Sequence, residues 1–196
     1  MSLPTDLDPA PGVLLVAPPD LRDSNFSRTV ALLCEHDREE GSFGLILNQN
    51  LDLTLGDALD GEDSTSTWTG ADRALSLGGP VQPNTLHFLH RYSAERVPDA
   101  QRVFDGVQWG GNFATVKSLV QTGEAPPDEL RFFLGYAGWG PGQLQSEIDR
   151  DGWLVLPGDE AAVFADHPDT LWRDLLRGMG GEYALLANYP EDPRMN

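Results

Sequence analysis

The sequence predicts an α+β domain with a mixed, mostly antiparallel sheet. Three observations lead there. Short apolar runs alternate with amphipathic stretches, but without the strict strand-helix-strand repetition of a parallel fold. Strands that follow one another in the chain are close enough to pair as hairpins. No internal repeat or long low-complexity block interrupts the pattern. A chain of 196 residues can bury a core without disulfides or structural metals, so residues 1–196 are read as one domain, with 1–11 a flexible N-terminus.

Gly12 to Ala17 is an apolar run ended by Pro18 and Pro19, the signature of a buried strand. Thr29 to Glu35 is a second strand. Val30, Leu32 and Cys34 alternate there with Ala31 and Leu33, so both faces are apolar and the strand belongs in the middle of a sheet. The turn Asp37 to Ser42 leads into Phe43 to Asn48, giving a hairpin with a loop of about six residues. Leu55 to Leu59 makes one or two helical turns, and 60–73 reads as a surface loop that Trp68 ties down. Ala74 to Leu77 and Thr85 to Arg91 are strands, as is Val103 to Trp109 with a turn at Asp105 and Gly106. Asn112 caps a helix that Gly123 ends, with Phe113, Val116, Leu119 and Val120 on its buried side. Pro126 and Pro127 precede the strand Leu130 to Ala137. A helix from about Gly142 to Arg150 and a strand Trp153 to Leu156 follow. The last helix begins near Pro168, carries Leu171, Trp172, Leu175 and Leu176, and stops at Gly178 to Gly181.

Charge narrows the function classes. The chain has 31 acids against 13 bases, a net charge of −18, and the bases are twelve arginines and the single lysine Lys117. Duplex binding relies on lysine and arginine displacing phosphate counterions, so direct nucleic-acid contact is disfavoured over most of this surface. The acidity reads either as a solvated, soluble surface or as adaptation to high salt, where screening relieves self-repulsion. No apolar run approaches the roughly 18 residues that span a bilayer. Met1 to Pro11 carries acids and prolines where a secretory signal has a basic and an apolar stretch, and Cys34 is the one cysteine. A cytoplasmic protein without membrane attachment is expected.

Two constellations could carry chemistry. In Phe133 to Leu144 a strand runs through Gly135, Gly138, Gly140 and Gly142 into a helix, where bare backbone N–H groups could receive an anion or a carbonyl oxygen. Its spacing is not a dinucleotide fingerprint, and a lysine-containing phosphate loop is excluded. The alternative is a tight turn under Tyr136 and Trp139. The second constellation is Asp23 to Thr29 with Glu35, His36 and Asn48. His36 and Asn48 fall at opposite ends of the hairpin, and neighbouring Glu35 and His36 point to opposite faces, a poor base pair. Arg28, at the start of a buried strand, needs an acid or an anionic ligand. There is no Gly-x-Ser-x-Gly elbow. Cys34 reads as a small hydrophobe. His87 and His90 lack further ligands for zinc, so neither metal nor cofactor is expected.

Asp23-x-Asn25-Phe26-x-Arg28-Thr29-Val30, Glu35-His36, Gly44 to Asn48, Gly78-Gly79-Pro80-Val81 and Gly135-Tyr136-Ala137-Gly138-Trp139-x-x-Gly142-Gln143-Leu144 together resemble the successive motifs of the YqgE/AlgH family of bacterial proteins. The resemblance implies a single α+β domain whose bifurcated sheet forms a small barrel-like core flanked by helices. Family members often carry the label of transcriptional regulator, tied to alginate control in one branch, with no established reaction. The chain departs from the family at Gln49-Asn50, where a basic residue and proline are common, and at Gln145, where glutamate is usual; Glu147 retains the later acid.

The expectation is a binding or regulatory module acting through a protein partner or a small anionic or carbonyl ligand. Its crevice would join Arg28, Asn48, Gly78, Gly79, Gly138, Gly142 and Gln143. Arg28 would take the ligand, Asn48 and Gln143 would orient it, and the glycines would admit it. The motif residues Asn25, Thr29, Glu35, His36, Tyr136, Trp139 and Glu147 have no assigned role. The competing classes are a hydrolase or transferase using Glu35, His36 or Glu147 as base, and a structural protein without a ligand.

Overall fold

The computed structural model describes residues 7–60 and 67–188. The strands in chain order are β1 (Leu14–Val16), β2 (Val30–Asp37), β3 (Gly41–Ile46), β4 (Asn50–Thr54), β5 (Ala74–Leu77), β6 (Val81–His90), β7 (Gln101–Phe104), β8 (Val107–Trp109), β9 (Leu130–Trp139) and β10 (Leu154–Leu156). The helices are α1 (Leu55–Asp60), α2 (Phe113–Gln121), α3 (Gln143–Ile148), α4 (Glu160–Val163), α5 (Leu171–Met179) and α6 (Gly181–Leu186).

The main sheet runs β10-β1-β2-β3-β9-β6-β8-β7. Along one edge β9 changes partner. Phe132 to Leu134 pair with Leu75 to Leu77 of β5 in parallel, whereas Ala137 to Trp139 pair with Gly44 to Ser42 of β3 in antiparallel register. The sheet therefore forks along β9, with β4 and β5 as the side branch. The fork is made of bare backbone. The Gly78 N–H donates to the Leu134 carbonyl at 2.8 Å, and the Gly78 carbonyl accepts from the Ile46 N–H at 2.8 Å. A Cβ on Gly78 would stand 2.3 Å from the Gly135 oxygen, and one on Gly79 2.2 Å from the Tyr136 carbonyl carbon. Gly135 itself takes φ +66, the turn that passes β9 from one partner to the other.

The two ends of the sheet curl toward each other, since Gly12 before β1 and Gly158 after β10 both lie against Phe104 at the end of β7. The concave side of this half-barrel holds Leu14, Val16, Leu32, Leu45, Leu89, Val103 and Phe133, and is closed by Val163, Trp172 and Leu176 from α4 and α5. On the outer face Leu15, Ala31, Leu33, Ile46 and Ala137 pack with Trp139, Leu144 and Trp153 around α3. A third cluster lies under α1 and α2, around Leu75, Phe88, Val116, Val120 and Phe132. Strand β2 is thus buried on both faces, as its alternation predicts. Cys34 sits in a bulge between Leu33 and Glu35, and burial pushes its thiol up, as suits a small hydrophobe.

Asn112 caps α2 as expected, its Oδ1 accepting from the Thr115 N–H at 3.0 Å. Other elements differ from the sequence reading. The β2–β3 connection is shorter than six residues, because the Asp37 carboxylate accepts the Glu39 and Glu40 N–H groups and Gly41, at φ +114, turns the chain straight into β3. β4 escapes periodicity analysis because its residues are only half covered, and it pairs with β5 alone. β6 begins at Val81 and β9 extends to Trp139, both lengthened by pairing across the fork. Helix α3 spans only Gln143–Ile148. The glycines after α5 end that helix but also start α6, through positive φ at Gly180 and Gly181. Part of the expected N-terminal segment 1–11 and of the loop 60–73 lies outside the described residues. Within the loop, the Trp68 indole donates to Asp60 at 2.9 Å and Lys117 lies 5.3 Å from its ring.

His90 is fully buried, with Nε2 donating to the Gly110 carbonyl at 2.9 Å and Nδ1 accepting the Tyr92 N–H at 3.1 Å. Burial holds its pKa below the ordinary 6.5.

Two predictions follow from this packing. Gly79→Ala should cost more than about 3 kcal/mol or prevent folding, because the clash is with backbone, whereas Gly142→Ala, which meets nothing within 4 Å, should cost about 1 kcal/mol; urea melts of both variants decide it. Second, the unfolded chain protonates His90 near 6.5 and the folded chain only at lower pH. Stability is therefore complete above 6.5 and falls as pH drops below it. Melts at pH 7 and pH 5 should show a drop that His90→Gln reduces.

Candidate functional site

The hairpin of β2 and β3 has a polar constellation at each end, and the structure keeps them apart. Six residues separate Val30 from His36 along β2, which at strand rise is roughly 20 Å. The crevice expected to unite Arg28 and Asn48 with Gly138, Gly142 and Gln143 is therefore two places. Gly78 and Gly79 belong to neither, since both are buried in the fork against β9.

At the first end, the Asp23 carboxylate accepts the Asn25 and Phe26 N–H groups at 2.8 and 3.1 Å, and the Thr29 hydroxyl donates to the Phe26 carbonyl at 2.8 Å. This turn delivers Arg28 in the left-handed region at φ +55, a conformation that costs a non-glycine residue about 1–2 kcal/mol. Asn48 holds it there. Its Nδ2 donates to the Arg28 carbonyl and its Oδ1 accepts the Val30 N–H, both at 2.8 Å. Asn48 thus positions Arg28 through main chain. Gln49, at the position where the family pattern departs, donates to the Asn25 carbonyl at 3.3 Å.

The Arg28 guanidinium lies 5.0 Å from the Trp172 ring, and the Trp172 indole donates to the Ala17 carbonyl at 2.8 Å. Around them is a hollow of about 280 Å³ lined by Ser27, Arg28, Asn48, Gln49, Asp169, Trp172 and Arg173. A further cation lies close behind its wall. Arg131, from β9, donates to the carbonyls of Leu47 and Val163 and to the Ser76 hydroxyl, at 2.8, 2.7 and 3.1 Å, and burial lowers its pKa to about 10. These acceptors are neutral, so the arginine stitches the segment after β3 to β5 and α4 while leaving its charge inside the protein.

At the second end the glycine loop meets the chain's own groups. The Gly140 N–H donates to Gln143 Oε1 at 2.9 Å, and the Gly142 N–H to the Arg38 carbonyl at 3.1 Å. Gln143 Nε2 donates to Glu147 Oε1 at 2.8 Å, while Glu147 Oε2 accepts the indole N–H groups of Trp139 and Trp153 at 2.9 and 2.8 Å. Gly138 stands beneath the Tyr136 ring, which a Cβ would meet at 3.1 Å. The geometry is that of the tight turn under aromatics, the bland alternative in the sequence. His36 Nδ1 lies 2.8 Å from the Ser42 hydroxyl, and Glu35 pairs across the ladder with Phe43, so the two neighbours do face opposite ways. Among the described residues, no group of three or more His, Cys, Asp or Glu could hold a metal ion, and no helix is long and apolar enough to cross a membrane.

Sequence reasoning singled out Arg28 and Asn48 but not Asp169 and Arg173, which line the same hollow. Their signal was the i, i+4 spacing beside Trp172, which by itself reads as one polar edge of an amphipathic helix.

Residues 14–184 match the family described as AlgH-like. The chain is 43% identical over 185 residues to a UPF0301 protein of Chlorobaculum parvum, covering 94% of this chain and 95% of that one. It is 40% identical over 185 residues to a UPF0301 protein of Cytophaga hutchinsonii, covering 94% and 98%. Among solved structures it is similar to the AlgH protein of Pseudomonas aeruginosa, with TM-score 0.72 and 28% identity over 92% of this chain and 94% of that one. A Corynebacterium diphtheriae protein gives TM-score 0.75 and 27% identity over 93% and 94%.

The carboxylate that joins two nearly buried indoles should be a stability determinant. Glu147→Ala strands both N–H donors and should cost about 2–4 kcal/mol, with Glu147→Gln losing less because one acceptor oxygen remains. Denaturant melts followed by tryptophan fluorescence measure both.

Proposed function

The chain belongs to the AlgH-like family, and on that premise we propose that it is a binding module whose Arg28 hollow receives a small ligand bearing an anionic or carbonyl group. One observation carries the reading: a strained arginine, held at φ +55 by the Asn48 clamp, lies at a hollow that Arg173 also lines. Backbone strain persists where the surroundings over-determine it, and it clusters at ligand clamps. A guanidinium is a planar fork of the kind that recognises a carboxylate, phosphate or carbonyl, and both arginines line the hollow. In a chain of net charge −18, a lining with two guanidiniums and one carboxylate, Asp169, is less acidic than the surface as a whole.

The same net charge disfavours a duplex as partner, so a regulatory role would run through a protein or through the ligand. Two of the three bases expected for a hydrolase or transferase are engaged away from the hollow. Both Glu147 oxygens accept hydrogen bonds, and His36 is bonded to Ser42 away from the hollow.

Titration of the full chain with small carboxylates and inorganic phosphate, followed by amide and guanidinium NMR shifts, should perturb Ser27 to Val30, Asn48 and Arg173. Arg28→Gln and Arg173→Gln should each weaken binding about tenfold or more, the loss of one charge-assisted contact. Shifts unchanged in both variants, or tight duplex binding in a gel-shift at physiological salt, would sink the reading.

A further inference from the structure

A second cluster lies apart from the hollow, against the concave core. Phe43 of β3, Tyr136 of β9, His87 of β6 and Trp109 of β8 stand on four successive strands of the sheet, and all four are half-buried. The curl of the sheet brings their rings together. The Phe43 centroid lies 4.5 Å from that of Trp109, 4.8 Å from Tyr136 and 5.2 Å from His87. Gly138 pairs with Phe43 across the ladder, and the Tyr136 ring covers the place a side chain there would take. On the other side of Phe43 its ladder partner is Glu35, and directly opposed residues of an antiparallel pair share a face. Glu35 is exposed, and among the described residues its carboxylate makes no hydrogen bond or ion pair.

We infer that this aromatic face binds a small organic cation, an alkylated ammonium that lies against the Trp109, Phe43 and Tyr136 rings with Glu35 beside it. Two observations distinguish such a site from a plug of the core. The Trp109 indole N–H is buried without an acceptor, a cost that phenylalanine at the same place would avoid. Packing alone does not call for tryptophan, whereas tryptophan is the ring that attracts a cation most strongly. The second observation is charge. Residues 35–40 of the same hairpin hold Glu35, Asp37, Glu39 and Glu40 against the single arginine Arg38, in a chain of net charge −18. Burial holds the His87 pKa below the ordinary 6.5, so at neutral pH that ring adds no opposing charge. Every ring lies within 5.2 Å of Phe43, a patch one headgroup wide rather than a groove for a polypeptide. A second copy of the chain, bringing the same −18, is electrostatically disfavoured. The inference is independent of the Arg28 hollow.

The test titrates the full chain by NMR with choline and with the neutral alcohol in which a carbon replaces the choline nitrogen. The expected result is choline binding at least about tenfold tighter than the alcohol, with shifts centred on Phe43, His87, Trp109 and Tyr136. Two variants tie the response to the site. Glu35→Gln, at an exposed position, should weaken choline several-fold and leave the alcohol unchanged. Trp109→Phe keeps a ring and removes the orphan donor, so it should stay folded by far-UV circular dichroism while also weakening choline several-fold. The alcohol binding as tightly as choline would overturn the inference. So would choline shifts centred elsewhere, choline affinity indifferent to both variants, or no response to either probe; the rings would then serve the core alone.

Discussion

The fold depends on one close approach of main chain to main chain. Where β9 turns from β5 to β3, Gly78 and Gly79 cross the strand at distances that leave no room for a Cβ, and Gly135 supplies the turn. Hydrogen bonds through Gly78 then tie both branches to one register. The apolar alternation of the strands is what fills the faces so created. Because β9 serves both branches, the concave core, the outer α3 face and the α2 cluster are built on the same ten residues.

The hollow inherits its order from that frame. β3 leaves the fork and ends at Ile46, so Asn48 emerges beside the start of β2, where its amide closes on Arg28 and Val30. The strain in Arg28 is sustained because the clamp and the Asp23 turn act on the same short segment. On the other side, α5 brings Trp172 to the Ala17 carbonyl, and with it Arg173 and, from the helical turn that precedes it, Asp169. The two walls come from segments more than a hundred residues apart, joined by the Trp172 indole on the Ala17 carbonyl and by the Arg28 guanidinium beside the Trp172 ring.

The glycine loop shows how a ligand-like pattern can be self-contained. Free N–H groups at a strand-to-helix turn suggest an anion site, but here Gln143 and the Arg38 carbonyl occupy them. Glu147, which resembles a catalytic acid in isolation, has both oxygens engaged by Gln143, Trp139 and Trp153. A carboxylate so held orders the loop and fixes two large side chains over the sheet. That motif therefore reads as architecture, and the proposed binding function rests on the opposite end of the hairpin.

The sequence by itself determined the α+β class, the two-sided burial of β2, the Asn112 cap and the separation of His36 from Asn48. Each is set by local periodicity, capping chemistry or hairpin geometry, all of which act over a few residues. β4 and α6 were not legible, because one is half exposed and the other begins in glycines that equally signal an end. Only the tertiary structure decided that Gly78 and Gly79 serve a fork and that Asp169 and Arg173 stand with Arg28. Those relations depend on which distant strands pair and where the curled sheet closes. Spacing along a chain does not encode the direction in which a folded surface brings two remote side chains together.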